Sequence, residues 1–302
     1  MTVCIAAMCD NGGRIVTATD GLVSLGNVTG ECVLARTEWK GDWQFMYAGC
    51  GANFSLVMEE IENACVQDQD ALSRRRIQET VRKAYRTIVS RLSSFEVLSP
   101  FDLTMAEFMD SGRKSFGNEG YEELIRAIKV NGTEIIDQMI VTGWGHSPHS
   151  AMVYEIGPAG DSLHTGMGFT SIGSGSHVAH TMLVLLGQAR HRSLAETIFN
   201  VACAKFSSEK SGDLDVGKST AIYVCQKRKD GENKSGESYG IVIGEDDLAL
   251  LRSLWEAHLK PRIPDEIRPE IVKIAARMDG DAVSMRDMLG SLQHIPDTLE
   301  RG

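Results

Sequence analysis

The Asn11-Gly12 pair constrains this chain more than any other short segment. A tight hairpin turn needs positive φ at its central residues, and Asn-Gly adopts it at little cost, so the pair predicts a hairpin wherever strand-like runs flank it. Val3 to Met8 precede it and Arg14 to Thr19 follow. The chain therefore opens with two antiparallel strands, and Thr2 stands at the free end of the first. Removal of Met1 would put a hydroxyl and a free α-amine on that one residue. Such an amine titrates near pH ~8, close enough to neutrality to act as base for its own side-chain oxygen. Thr2 is the candidate nucleophile.

Further along, Cys32 to Glu38 and Trp43 to Ala48 read as a second strand pair around Lys40-Gly41-Asp42. From Asn53 the apolar period becomes helical, with Leu56, Val57, Ile61 and Ala64 on one side. A longer helix follows from about Ser73, where Ile77, Val81, Ala84, Tyr85, Ile88 and Leu92 recur at threes and fours. The glycine-containing polar stretch from Ser99 to Gly120 reads as an irregular or partly helical insertion, extending over about 99–130. Strands return at Ile135 to Thr142 and Met152 to Ile156, helices at His177 to Leu186 and Leu194 to Phe206, and strands at Thr220 to Cys225 and Tyr239 to Ile243. This block order predicts an α+β fold rather than a βαβ alternation. From Glu245 the chain is amphipathic at Leu248, Leu251, Trp255 and Leu259 and is broken by Pro261, Pro264 and Pro269. The expected organisation is one domain over 1–245 and a C-terminal helical extension over 246–302.

Several function classes are disfavoured. A net charge of -10 over 302 residues argues against a general nucleic-acid surface, and Arg74 to Arg76 read as the solvated face of a helix. No apolar run approaches the ~20 residues of a membrane helix, and the N-terminus lacks a secretory pattern, which makes the cytoplasm the expected location. The seven cysteines form no CxxC pair and read as buried, reduced thiols. The pairs His146 with His149 and His177 with His180 have no nearby acidic third ligand, so no metal site is expected. Gly212 to Ser219 match GxxxxGK[ST] letter for letter, yet a phosphate loop needs a strand before it and a helix after it. Here the order is reversed, and Asp213 and Asp215 would repel phosphate. No cofactor is expected.

Four motifs in order carry a family resemblance: the N-terminal threonine strand, Asp20-Gly21-Leu22-Val23-Ser24-Leu25-Gly26-Asn27, Ala48-Gly49-Cys50-Gly51, and Ser171-Ile172-Gly173-Ser174-Gly175-Ser176. Over roughly Thr2 to Ile243 the chain resembles the proteasome β-type and HslV-like family of N-terminal-threonine (Ntn) hydrolases. The resemblance implies a four-layer αββα sandwich of two antiparallel sheets. It also implies a threonine-type peptidase in which Asp20 orients the catalytic group, the Gly49 N–H faces the oxyanion, and Ser174 and Asp213 bracket the amine. Removal of an oxyanion donor typically costs about 3 kcal/mol of transition-state stabilisation.

Two positions depart from the family pattern. Leu34 stands where it has a catalytic lysine, and Val216 where it has a last serine. Arg36, two residues on and so on the same strand face, can supply the missing charge but cannot release a proton. The partners implied are a polypeptide substrate, copies of the chain in a homo-oligomeric ring or stack, and an ATP-dependent unfoldase. Two other readings stay open, an inactive scaffold subunit and an Ntn hydrolase of small amides.

Overall fold

The computed structural model describes residues 2–20, 22–25, 28–31, 37–134, 137–144, 151–211, 216–226 and 239–258. In chain order these form β1 (Cys4–Cys9), β2 (Arg14–Asp20), β3 (Leu22–Leu25), β4 (Val28–Glu31), β5 (Thr37–Lys40), β6 (Trp43–Ala48), α1 (Gly51–Gln67), α2 (Ile77–Leu98) and α3 (Met105–Glu134). There follow β7 (Gln138–Gly143), β8 (Met152–Gly157), β9 (Gly160–Leu163), β10 (Phe169–Ile172), α4 (Ser176–Leu185), α5 (Leu194–Lys210), β11 (Thr220–Gln226), β12 (Tyr239–Val242) and α6 (Glu245–His258). One compact unit ends at Trp255, within α6, and a second begins at Glu256.

The opening hairpin pairs Cys4 with Thr19 through to Cys9 with Arg14. Its turn is longer than a two-residue one, because Asp10, Asn11 and Gly12 take φ of +50°, +58° and +88° before Gly13 closes it. The extra length lets the turn donate outward: Asp10 N–H reaches the Arg192 carbonyl and Asn11 N–H the Arg190 carbonyl, each at 2.8 Å.

Two five-stranded antiparallel sheets result, in the orders β10-β1-β2-β11-β12 and β5-β6-β7-β8-β9, with β3-β4 a separate hairpin. Strand alternation decides what each face meets. In β6, Trp43 and Phe45 join Phe54 and Ile61 of α1 and Val81 and Ile88 of α2, while Met46 and Ala48 join Met8, Ile15 and Ile140 between the sheets. On the other side α5 lies against β1 and β2. The architecture is therefore the expected αββα sandwich. Each large aliphatic side chain fully buried in it contributes about 1.5–3 kcal/mol. Ser193 and Glu196 form a capping box that starts α5, with the Ser193 hydroxyl accepting the Glu196 N–H.

The insertion is more regular than its glycines suggest. It is α3, two helical segments meeting at Gly117, whose φ is +70°. Gly112 lies where the Phe108 and Tyr121 rings stack at 4.8 Å, so a residue type that reads as a loop signal serves close packing. Phe108, Tyr121 and Ile128 bury themselves with Leu98 in a small core of their own. Among the described residues no helix is long and apolar enough to cross a membrane.

Candidate active site

Thr2 precedes β1 and is 1 % exposed. Its hydroxyl oxygen has no hydrogen-bond partner among the described residues. Its carbonyl is held by two donors, the Gly175 N–H at 3.3 Å and the Ser174 hydroxyl at 3.4 Å. Both come from the turn between β10 and α4, which β10 carries to this place by pairing with β1 from Cys4–Ile172 onward. Gly173 in that turn has φ +90°, and a Cβ there would lie 2.1 Å from the Thr2 carbonyl oxygen and 3.2 Å from Ala48 Cβ. The turn therefore brings the start of β1 against the end of β6, where Gly49 follows.

Asp20 ends β2 and is fully buried. Its backbone N–H donates to the Val3 carbonyl at 3.3 Å, one residue beyond Thr2, and its Oδ2 accepts the Gly217 N–H at 2.9 Å. Val216, next to that amide, is buried, and its Cγ2 would be 2.9 Å from a Cβ on Gly175. An apolar side chain thus packs at the turn that clamps Thr2.

Gly49 has φ +144°, and the carboxylate of Asp137 is seated against it: a Cβ on Gly49 would fall 1.8 Å from Asp137 Oδ1. That oxygen accepts the Cys50 N–H at 2.6 Å, and Oδ2 accepts from Asn53 Nδ2 at 2.6 Å. The carboxylate therefore occupies the N-terminal end of α1, where a helix favours negative charge, and takes the Cys50 amide out of contention as a substrate donor. Burial nevertheless raises the Asp137 pKa above its ordinary 3.8, against the lowering effect of Asn53 and Cys50. With a raised folded-state pKa, the protonated acid is favoured on folding. Its stability contribution is full below pH 3.8 and is lost as pH rises through the folded value. Asp137→Asn is accordingly expected to gain on the parent over that rise and to run parallel to it above. Denaturant unfolding of both proteins across pH checks this, and a difference independent of pH would contradict it.

Of the residues named from sequence, Thr2, Asp20, Gly49 and Ser174 gather at one end of the two sheets. Arg36, Leu34 and Asp213 lie outside the described residues, as do His146 and His149. Lys40 is engaged elsewhere, in ion pairs with Glu62 and Glu38. Among the described residues no group of three His, Cys, Asp or Glu side chains is placed to hold a metal. The GxxxxGK[ST] segment has α5 before it and β11 after it, the reverse of a phosphate loop.

Sequence reading passed over Asp137, Gln138 and Lys205. Gln138 Oε1 accepts the Gly173 N–H at 2.9 Å and so steadies the turn against Thr2. Lys205 is fully buried on α5, between Val201 and Ser208 on the same buried stripe. A lysine within an apolar helical stripe was a legible signal, whereas nothing in the pattern marked Asp137.

The fold is a proteasome-like one, two antiparallel sheets between helical layers. An Anbu Gly-1 mutant from Hyphomicrobium sp. strain MC1 shares it with a TM-score of 0.56 and 16% identity, covering 88% of this chain and 100% of that one. Anbu, described as an ancestral β-subunit, from Yersinia bercovieri shares it with a TM-score of 0.57 and 13% identity, covering 85% and 95%. At these identities the likeness is one of fold. It corrects the family resemblance drawn from the motifs: these structural neighbours are Anbu proteins, distinct from HslV and the proteasome β subunits. No family profile matches the chain, and no curated protein matches its sequence.

Proposed function

We propose that the chain is an N-terminal-threonine hydrolase of peptide bonds, with Thr2 as nucleophile once Met1 is removed. The observation that carries the reading is the state of Thr2. It is buried beside Asp20, clamped at its carbonyl, and its hydroxyl oxygen is unpaired among the described residues. Thr17, Thr19 and Thr142 also bury hydroxyls without a partner among the described residues, so what sets Thr2 apart is its place beside Asp20 with its carbonyl clamped, which leaves its oxygen for a substrate carbonyl.

In the proposed reaction Thr2 Oγ attacks the scissile carbonyl carbon while its proton passes to the Thr2 α-amine, directly or through water. The Gly49 N–H stabilises the resulting oxyanion. The C–N bond then breaks, the leaving amine takes a proton from the α-ammonium, and an ester remains on Thr2. Water, giving its proton to the same amine, hydrolyses that ester. Asp20 orients the centre, Ser174 and Asp213 bracket the amine, and Arg36 supplies positive charge that favours a deprotonated oxygen.

The domain performing this chemistry runs over 1–245, with 246–302 as an extension. Assembly into a homo-oligomeric ring or stack belongs to the same reading, supported by one structural neighbour that is described as an ancestral β-subunit. A polypeptide delivered by an ATP-dependent unfoldase is the proposed substrate.

The test is hydrolysis of unstructured peptides by the chain with Met1 removed. Cleavage that disappears with Thr2 supports the reading. A processed chain that cleaves nothing and accepts no acyl group overturns it in favour of the scaffold, which Leu34 and Val216 favour.

A further inference from the structure

Among the described residues Lys205 is the one lysine or arginine that is buried, at 0 % exposure. Its Nζ donates to Glu209 Oε1 at 2.6 Å and to the Gly217 carbonyl at 2.9 Å. The N–H of that same Gly217 donates to Asp20 Oδ2 at 2.9 Å. One residue thus presents its carbonyl to an ammonium and its amide to a carboxylate, so the short segment at Gly217 is pinned from both ends. Burial of both partners strengthens both hydrogen bonds.

Glu209, only 3 % exposed, is held in turn by Arg252 of α6 at 2.6 Å and 3.3 Å and by the Thr220 hydroxyl at 2.9 Å. The charges alternate along the chain of contacts: Asp20, Lys205, Glu209, Arg252. Alternation of this kind offsets the cost of burying Lys205 and Glu209, while the Arg252 side chain stays 32 % exposed. Burial lowers the Lys205 pKa below its ordinary 10.5, while Glu209 and Asp20 oppose that fall. A methionine would fill the same space without desolvating a charge. The α5 end is tied to the Thr2 clamp a second way, since the Ser208 hydroxyl donates to the Gly175 carbonyl at 3.0 Å and Gly175 N–H holds Thr2.

We propose that Lys205 is a positioning residue of the Thr2 site: through Gly217 it fixes the Asp20 carboxylate beside the first strand. It touches neither substrate nor Thr2. Its effect belongs to the chemical step, because it sets where Asp20 stands when Thr2 reacts. The inference rests on the hydrolase reading of Thr2.

The experiment uses the full chain with Met1 removed and a peptidyl β-lactone. Thr2 Oγ attacks the lactone carbonyl, the ring C–O bond opens, the ring oxygen takes the proton, and the protein gains the mass of the lactone. Saturation kinetics by intact mass separate the maximal acylation rate from the half-saturation concentration. For Lys205→Met the maximal rate is expected to fall between ~10- and ~100-fold with half-saturation unchanged, the scale of a misplaced catalytic group. Lys205→Met/Glu209→Gln removes both buried charges and guards against a Glu209 charge that, with only Arg252 and Thr220 left to hold it, unfolds the chain. Folded double variant with the same loss of maximal rate supports the proposal. Folded double variant acylated at the parent rate overturns it while the hydrolase reading stands. A parent chain that takes no lactone overturns the hydrolase reading itself, and the inference with it.

Discussion

Thr2→Ala is expected to reduce peptide hydrolysis at least ~10³-fold while leaving the fold nearly as stable as the parent. The two halves of this expectation have separate causes. Hydrolysis fails because no other group at the site offers an oxygen next to an α-amine. Stability survives because the hydroxyl oxygen forms no hydrogen bond with the described residues, so its removal strands no partner. Only a buried methyl group is lost, worth about 1 kcal/mol. Rates on a fluorogenic peptide beside a thermal melt check both halves. A folded Thr2→Ala chain that hydrolyses at the parent rate would remove Thr2 from the chemistry.

Gly173→Ala is expected to cost about 2–4 kcal/mol of stability and at least ~100-fold in acylation of Thr2. Its φ of +90° lies where L side chains are strained, and the added Cβ would stand 2.1 Å from the Thr2 oxygen and 2.9 Å from the Thr2 carbonyl carbon. Both neighbours are backbone, so relief requires moving the nucleophile's own main chain. Gly166→Ala makes the control, since nothing lies within 4 Å of a Cβ there, and it should melt with the parent. Equal Tm values for the two substitutions would contradict the clamp.

The parts of the fold legible in the sequence are those whose reasons are local. Asn11-Gly12 turns the first hairpin, and the threes and fours of Ile77, Val81, Ala84 and Ile88 lay α2 on its sheet. The strand Phe169–Ile172 escaped because four residues among glycines carry little propensity; it is a strand through its pairing with β1. The α3 helix, read as irregular or partly helical, was legible only in part because Gly112 and Gly117 read as loop signals, although one packs against rings and the other marks the kink.

At the site, Thr2 was legible from its place before the first strand, and Asp20, Gly49 and Ser174 were named only through the resemblance, whose motifs are short local runs. Asp137 and the Gly217 link between Lys205 and Asp20 were not legible, because they join residues 87 and 197 positions apart. The same limit explains the corrected resemblance. Glycine and serine turns report a proteasome-like architecture, but they do not separate one branch of it from another, and at 16% and 13% identity the Anbu structures show the shared fold.

Comparison of acylation between the Met1-processed chain and a chain that retains Met1 tests the central claim most directly. Intact mass gives the number of adducts and peptide mapping gives their place. The account predicts one β-lactone adduct, on the Thr2 oxygen, in the processed chain, and none in the chain that keeps Met1, where the α-amine base is tied up in a peptide bond. Equal labelling of both forms, or an adduct on any residue other than Thr2, would contradict it.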